Sequence, residues 1–324
     1  MTKSLNTIKH PIADELKIFE KRFEAALESE VSLLQKINTY IFQQKGKQMR
    51  PMFVLLSAQL CGEVNEGTYH TATFVEMLHT ATLIHDDVVD DANERRGVAS
   101  VNALWKNKIA VTIGDLWIAQ SLLICLKNKR FQLLEIFSHA VKEIIEGELL
   151  QSEKTRKLNI KEDIYFEIIR QKTASLIAAS CAAGVASTTG DETIIEKMKL
   201  FGEKIGIAFQ IRDDLFDFGT DDVGKPLGID IKEKKMTLPL IYALNNASRS
   251  ERKRIINIVK RHNDKPEKVN EVIEFVRASG GLEYAEKAML EYRADAFEIL
   301  HTFPSSPARE SLEDLVTFVT ERKK

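Results

Sequence analysis

Several things are scarce in this chain. It has only three cysteines, Cys61, Cys125 and Cys181, in apolar surroundings and far apart. No CxxC spacing occurs, which argues against a zinc site and a disulfide framework and leaves small core residues. Proline is also rare: there are seven, and none lies between Pro51 and Pro226. Because proline costs about 3 kcal/mol inside a helix, so long a proline-free span suits long helices. Neither sign of charge dominates, with 46 basic and 48 acidic residues. No basic stripe stands out, so a nucleic-acid partner is not expected. No run of about 18 apolar residues is evident, and no transmembrane segment is expected. The nearest approach, Ala174 to Ser187, is rich in small residues and reads as a close-packed core helix. The opening MTKSLNTIKHP lacks the apolar core of a signal peptide, so the expected location is cytoplasmic. Strand-like alternation and Asn-Gly hairpin signals are missing too.

What remains is a helical pattern. Phe201, Ile205 and Ala208 or Phe209 recur every three or four residues, and Phe216 follows two turns beyond Phe209. No fixed-period repeat and no low-complexity linker divides the chain. The loop-like stretches are Gly62 to Gly67, Gly219 to Gly228 and Asn245 to Arg252. With 44% hydrophobic residues, the expectation is one all-α domain over residues 1–324, a single large helical bundle.

Two acidic clusters interrupt the apolar pattern. Leu83 to Asp91 reads LIHDDVVDD, and Phe209 to Asp217 reads FQIRDDLFD. Asp86 and Asp90 are four apart and share a helical face, as do Asp213 and Asp217, with Gln210 one turn back. Carboxylates so placed repel one another unless a hard cation intervenes. Magnesium takes oxygen ligands and keeps positions open for phosphate oxygens. Two facing copies would hold two or three Mg2+ around one diphosphate in a central cavity. Cations suited to a diphosphate follow both clusters: Arg95 and Arg96 after the first, Lys225 and Lys235 after the second. Lys172-Thr173 lies between them, and Lys47 and Arg50 are spaced to share a face.

Other patterns carry less. GTDDVGK, residues 219–225, has P-loop spacing, but Pro226 stands where Ser or Thr is needed and a helix precedes it. Glu76-x-x-His79 and Glu298-x-x-His301 match a di-iron bundle motif, at a frequency chance alone supplies.

The motifs GKQMRP (46–51), EMLHTATLIHDDVVDDANERRG (76–97), GD (114–115), EGELLQ (146–151), KTASL (172–176), FQIRDDLFD (209–217), GKPLGIDIKEKKMTLP (224–239) and GGLEYA (280–285) occur in one order. In this the chain resembles the trans-isoprenyl diphosphate synthases, most closely the bacterial medium- and long-chain polyprenyl diphosphate synthases. The resemblance implies the isoprenoid-synthase fold and the condensation of isopentenyl diphosphate with an allylic diphosphate, of farnesyl or geranyl type. Asp86, Asp90 and Asp213 would hold magnesium, and with Lys172 carry the chemistry. Arg95, Lys172, Thr173, Gln210, Lys225 and Lys235 would grip the allylic diphosphate. Lys47, Arg50, His79 and Arg96 would bind isopentenyl diphosphate; His79 is seven residues before Asp86, on the same face. Lys234 departs from the family, which often has glycine there, and leaves open which of Lys234 and Lys235 points inward. The resemblance also implies a homodimer, with residues near Asp115 to Cys125 at the interface.

A class I terpene cyclase shares the first aspartate motif, but its second metal motif differs and it lacks the Lys47, Arg50 and His79 set. A non-catalytic subunit would usually lose one cluster, and both are intact. Product length should depend on the residues beneath Asp86. Ala81 and Thr82, five and four residues before it, are small where short-chain members place an aromatic. Leu78 and Phe74 follow on that face, Phe74 about 12 Å below Thr82 at 1.5 Å per residue. Phe74 is a candidate floor, as are Phe131 and Phe137. The expected product has six to eight isoprene units, C30–C40, for a quinone side chain.

Overall fold

In the computed structural model the chain is helical almost throughout; residues 3–44, 46–158, 161–219 and 227–321 are described. The helices are α1 (Leu5–Lys9), α2 (Ala13–Ala26), α3 (Ser32–Gln43), α4 (Met49–Cys61), α5 (Glu66–Val89), α6 (Val101–Lys127), α7 (Phe131–Lys157) and α8 (Glu162–Ile169). A π-helical turn, Arg170–Ala174, leads into α9 (Ser175–Ala186) and the long α10 (Glu192–Phe216). Then come α11 (Ile229–Lys232), α12 (Leu238–Asn246), α13 (Arg249–Arg261), α14 (Pro266–Ala278), α15 (Gly281–Leu300) and α16 (Pro307–Glu321). Among the described residues the only strands are β1 (Glu94–Arg95) and β2 (Val98–Ala99), an antiparallel pair between α5 and α6.

The expected core helix is α9. Every residue from Ser175 to Val185 is buried, so no polar face is needed. Its small side chains let neighbours come close. At Gly206 of α10, a methyl group would lie 2.4 Å from the Ala174 Cα. Two apolar clusters result. One gathers α1 to α7, α9, the first half of α10, the end of α15 and α16; the other gathers α8, the second half of α10, α11 to α14 and the first half of α15. Ile205 and Ile207 of α10 belong to different clusters, so this helix ties them together.

Three sequence expectations need correction. The longest apolar helix is α6, not Ala174 to Ser187; it is long and apolar enough to cross a membrane, with a third of that stretch buried. A break at Lys106 (φ 74°) sets its first residues apart. The loop expected over Asn245 to Arg252 is shorter, because Ser248 caps α13 through Oγ and the Glu251 N–H. The Gly62 to Gly67 stretch ends early as well: Asn65 and Thr68 form a capping box that starts α5 at Glu66.

Candidate active site

Helix α5 ends at the first acidic cluster, with Asp90 at its C-terminus. Burial pushes the Asp86 carboxyl up; the Lys172 ammonium opposes this, and the Glu148 and Asp90 charges add to it. Four elements therefore converge here: α5, the β-hairpin with Arg95, α7 with Glu148, and the π-helical turn with Lys172. The approach of α7 requires Gly147, where a methyl group would lie 2.8 Å from the Gln171 Cβ. That contact sets Glu148 beside Lys172, and the two form an ion pair.

The second cluster divides its labour. Asp217 accepts hydrogen bonds from the N–H groups of Ile229 (2.7 Å) and Asp230 (3.2 Å), so it caps α11. Asp214 is buried and accepts from Tyr165 Oη (2.7 Å) and Gln210 Nε2 (2.9 Å). Thr173 Oγ1 donates to Gln210 Oε1 at 2.9 Å. Burial and the nearby Asp230 charge push the Asp214 carboxyl well above the usual carboxylate range. Asp213 is only half-buried and bears on both Asp214 and Asp230.

Lys235 links the clusters. Its ammonium is 2.5 Å from Glu233 Oε2 and 4.0 Å from Asp230 Oδ1, and the Asp90 charge helps to raise its pKa. Lys234 has φ 59°, a left-handed conformation that glycine adopts without cost, which accounts for glycine being common there. Lys235 is thus the inward residue. A cavity is lined by Lys172, Thr173, Gln210, Asp214, Asp230 and Lys235. Lys225 lies outside the described residues.

A second cavity is lined by Gln44, Gln48, Glu76, Asp87, Arg95 and Arg96. Arg95 donates from Nε (2.7 Å) and Nη2 (2.6 Å) to Oδ1 of the buried Asp87. Arg96 (φ 54°) and Gly97 (φ 79°) form the two-residue hairpin loop. Asn-Gly is the preferred pair for such a loop, so an arginine is held there at some strain. Its Nη1 donates to the Gln44 carbonyl at 2.7 Å, and its guanidinium fills the space a methyl group at Gly46 would take. Tyr40 Oη donates to the Ala99 carbonyl at 2.6 Å and fastens the hairpin to α3.

Behind the hairpin, burial brings the Arg50 guanidinium down to about 10, against the Glu76 charge. Its buried Nε has no hydrogen-bond partner among the described residues. His79 is held well below its ordinary value by burial and by Arg50, Arg96 and Arg95, so its imidazole is neutral. Arg50, His79, Arg95 and Arg96 are therefore together. Lys47 Nζ lies 5.3 Å from the Phe318 ring centroid on α16.

Below Asp86, Ala81 is buried and Thr82 half-buried; the Thr82 hydroxyl donates to the His79 carbonyl. Phe74 and Phe137 are fully buried, whereas Phe131 is 62% exposed and is no floor. The Glu298–His301 motif does not join Glu76 and His79: His301 is at the surface, paired with Glu313 at 3.3 Å. Sequence reasoning missed Glu76, Asp87, Glu148, Tyr165, Asp214 and Asp230 as members of the site. Asp87 and Asp214 sat inside the quoted clusters, Glu76 at the head of the 76–97 motif, Glu148 inside EGELLQ and Asp230 inside GKPLGIDIKEKKMTLP; Tyr165 had no such signal.

Comparison with known proteins gives a consistent picture. A family profile described as polyprenyl synthetase matches residues 31–276. An all-trans-nonaprenyl-diphosphate synthase (geranyl-diphosphate specific) of Rhodobacter capsulatus is 35% identical over 96% of each chain. Heptaprenyl diphosphate synthase component 2 of Bacillus subtilis is 33% identical over 96% of this chain and 88% of its own. The crystal structure of a Caulobacter crescentus polyprenyl synthase, complexed with calcium and isoprenyl diphosphate, superimposes with a TM-score of 0.92 at 30% identity, over 100% of this chain and 99% of that one.

Proposed function

The chain belongs to the polyprenyl synthetase family, whose members are prenyltransferases, and on that premise we propose that it condenses isopentenyl diphosphate with an allylic diphosphate in a magnesium-dependent reaction. One observation carries this reading: the carboxylates of α5 and the segment after α10 meet around Lys235, with Lys172 beside Asp86 and lining the same cavity. That is a cradle for a diphosphate between two acidic walls.

Asp86, Asp90 and Asp213 would hold two to three Mg2+. The fit rests on oxygen donors alone and on an Asp86 carboxyl that burial and Asp90 push up, a strain a divalent cation would relieve. The bound metal would stabilise charge on the leaving diphosphate. Arg95, Lys172, Thr173, Gln210, Lys225 and Lys235 would take its remaining oxygens. Lys172 and Lys235 lie against Glu148 and Glu233, and would exchange these partners for the diphosphate. Arg50, His79 and Arg96 would hold isopentenyl diphosphate, together with Lys47. The allylic C–O bond breaks, and the isopentenyl alkene supplies the electrons for the new C–C bond. The proton then lost goes to the departed diphosphate. The dry, apolar face beneath Asp86 keeps water from the cation.

The product we assign is C30–C40, made from a farnesyl- or geranyl-type starter and suited to a quinone side chain. The paired rings of Phe74 and Phe137 support a floor at that depth. We read residues 1–324 as one domain, supported by α10 serving both apolar clusters. We also assign a cytoplasmic homodimer; Leu104, Val111, Leu123 and Leu126 leave α6 with an exposed apolar face for a second copy.

The test is elongation of farnesyl diphosphate by labelled isopentenyl diphosphate, with magnesium or with chelator. Magnesium-dependent elongation to C30–C40 is expected. No elongation from any allylic starter would sink the reading, and C15 or C20 alone would sink the product length.

A further inference from the structure

We infer that the solvent face of α13 is a docking surface for an anionic lipid bilayer. Arg249, Arg252, Lys253, Lys260 and Arg261 are all exposed there. None of them has a carboxylate within 4.0 Å among the described residues; the exception on this helix is Arg254, which pairs with Glu271. From Arg249 to Lys268 there are eight lysines and arginines against three acids, on a chain whose net charge is -2. The even balance of the whole sequence hides this asymmetry, and the basic face corrects the expectation that no such stripe exists.

The apolar side of α13 is already in the core, through Ile255, Ile258 and Val259. The helix therefore has no apolar face left to insert, and docking would be electrostatic. Its position suits the reaction. Asn263 Nδ2 donates to the Lys232 carbonyl at 2.5 Å, fastening the end of α13 to α11, next to Lys235 of the diphosphate cradle. The choice of a bilayer rests on the proposed function. A product with six to eight isoprene units has no stable dispersed state in water, so it must pass to a membrane. A cationic ledge beside the diphosphate site would hold the enzyme where that transfer occurs. A nucleic acid would also match the charge, but α13 has no aromatic side chain on which a base could stack.

The test is sedimentation of the full-length protein with phosphatidylcholine vesicles and with mixed phosphatidylcholine–phosphatidylglycerol vesicles. The mixed vesicles should bind about ten-fold tighter or more, and salt should reverse the binding. The variant Arg249→Glu, Arg252→Glu, Lys253→Glu, Lys260→Glu should lose that preference while keeping its helical circular dichroism and its turnover of a short, soluble starter. Equal binding to both vesicle types, or unchanged binding by the variant, overturns the proposal. So does binding of duplex or single-stranded DNA, lost in the variant, without vesicle binding. Vesicle binding by a protein with no elongation activity would refute the catalytic reading and leave only a charged surface with no product to deliver, which overturns the proposal as argued.

Discussion

Phe74 of α5 lies nearly flat against Phe137 of α7, with ring centroids 4.4 Å apart and 17° between planes. Both rings are fully buried, and they are the floor we propose under Thr82 and Leu78. Phe74→Ala should lengthen the product by one or more isoprene units, read by chromatography after dephosphorylation. It should also lower stability by about 3–5 kcal/mol, the usual range for deleting a core phenylalanine ring. Ala81→Phe should do the reverse to length, stopping elongation near C15 or C20.

Asp86→Ala should reduce kcat by at least about 10²-fold, as expected for removing a group that stabilises developing charge. Because burial penalises the ionised Asp86, the same change should leave the melting temperature unchanged or higher in metal-free buffer. A fall in activity together with a large fall in melting temperature would point to a structural role instead.

Arg96 sits in a left-handed conformation that costs about 1 kcal/mol for a residue with a side chain. Asparagine tolerates that conformation, so Arg96→Asn should raise stability slightly while raising KM for isopentenyl diphosphate. KM for the allylic substrate should not change. Tyr40→Phe removes the 2.6 Å bond to Ala99 and should produce a smaller rise in the same KM, with kcat retained. An equal effect on both substrates would rule out a hairpin dedicated to one of them.

His79 has a folded-state pKa depressed below its unfolded value. The unfolded chain therefore takes up a proton that the folded chain refuses, and stability must fall as pH drops from about 6.5 toward the folded pKa. Above that window the contribution is fully present. The slope from this one group is at most about 1.4 kcal/mol per pH unit. Denaturant unfolding of the native protein and of His79→Gln between pH 7 and pH 5 should show the variant losing less stability on acidification.

The helical class was readable because it rests on local rules. A proline-free span and three-to-four-residue apolar spacing already demand helices, and Ala174 to Ser187 could only be a helix buried on all sides. The two acidic clusters were readable for the same reason, since residues four apart share a helical face wherever the helix goes. Asp217 shows where this stops. Its spacing from Asp213 repeats that of Asp90 from Asp86, yet its carboxylate caps α11, a segment whose proximity no local pattern records. Asp230 and Tyr165 reached the site in the same way, from separate elements.

By itself the sequence determined the helices, the paired carboxylates and the set of cations available to a diphosphate, because periodicity and residue chemistry are properties of short segments. Only the tertiary structure decided which charges meet: Lys235 rather than Lys234 inward, Arg95 on Asp87, Lys172 on Glu148, and Phe137 rather than Phe131 against Phe74. These pairings depend on helix packing, and packing is set by close approaches such as Gly147 on Gln171 and Gly206 on Ala174, between residues that are far apart along the chain.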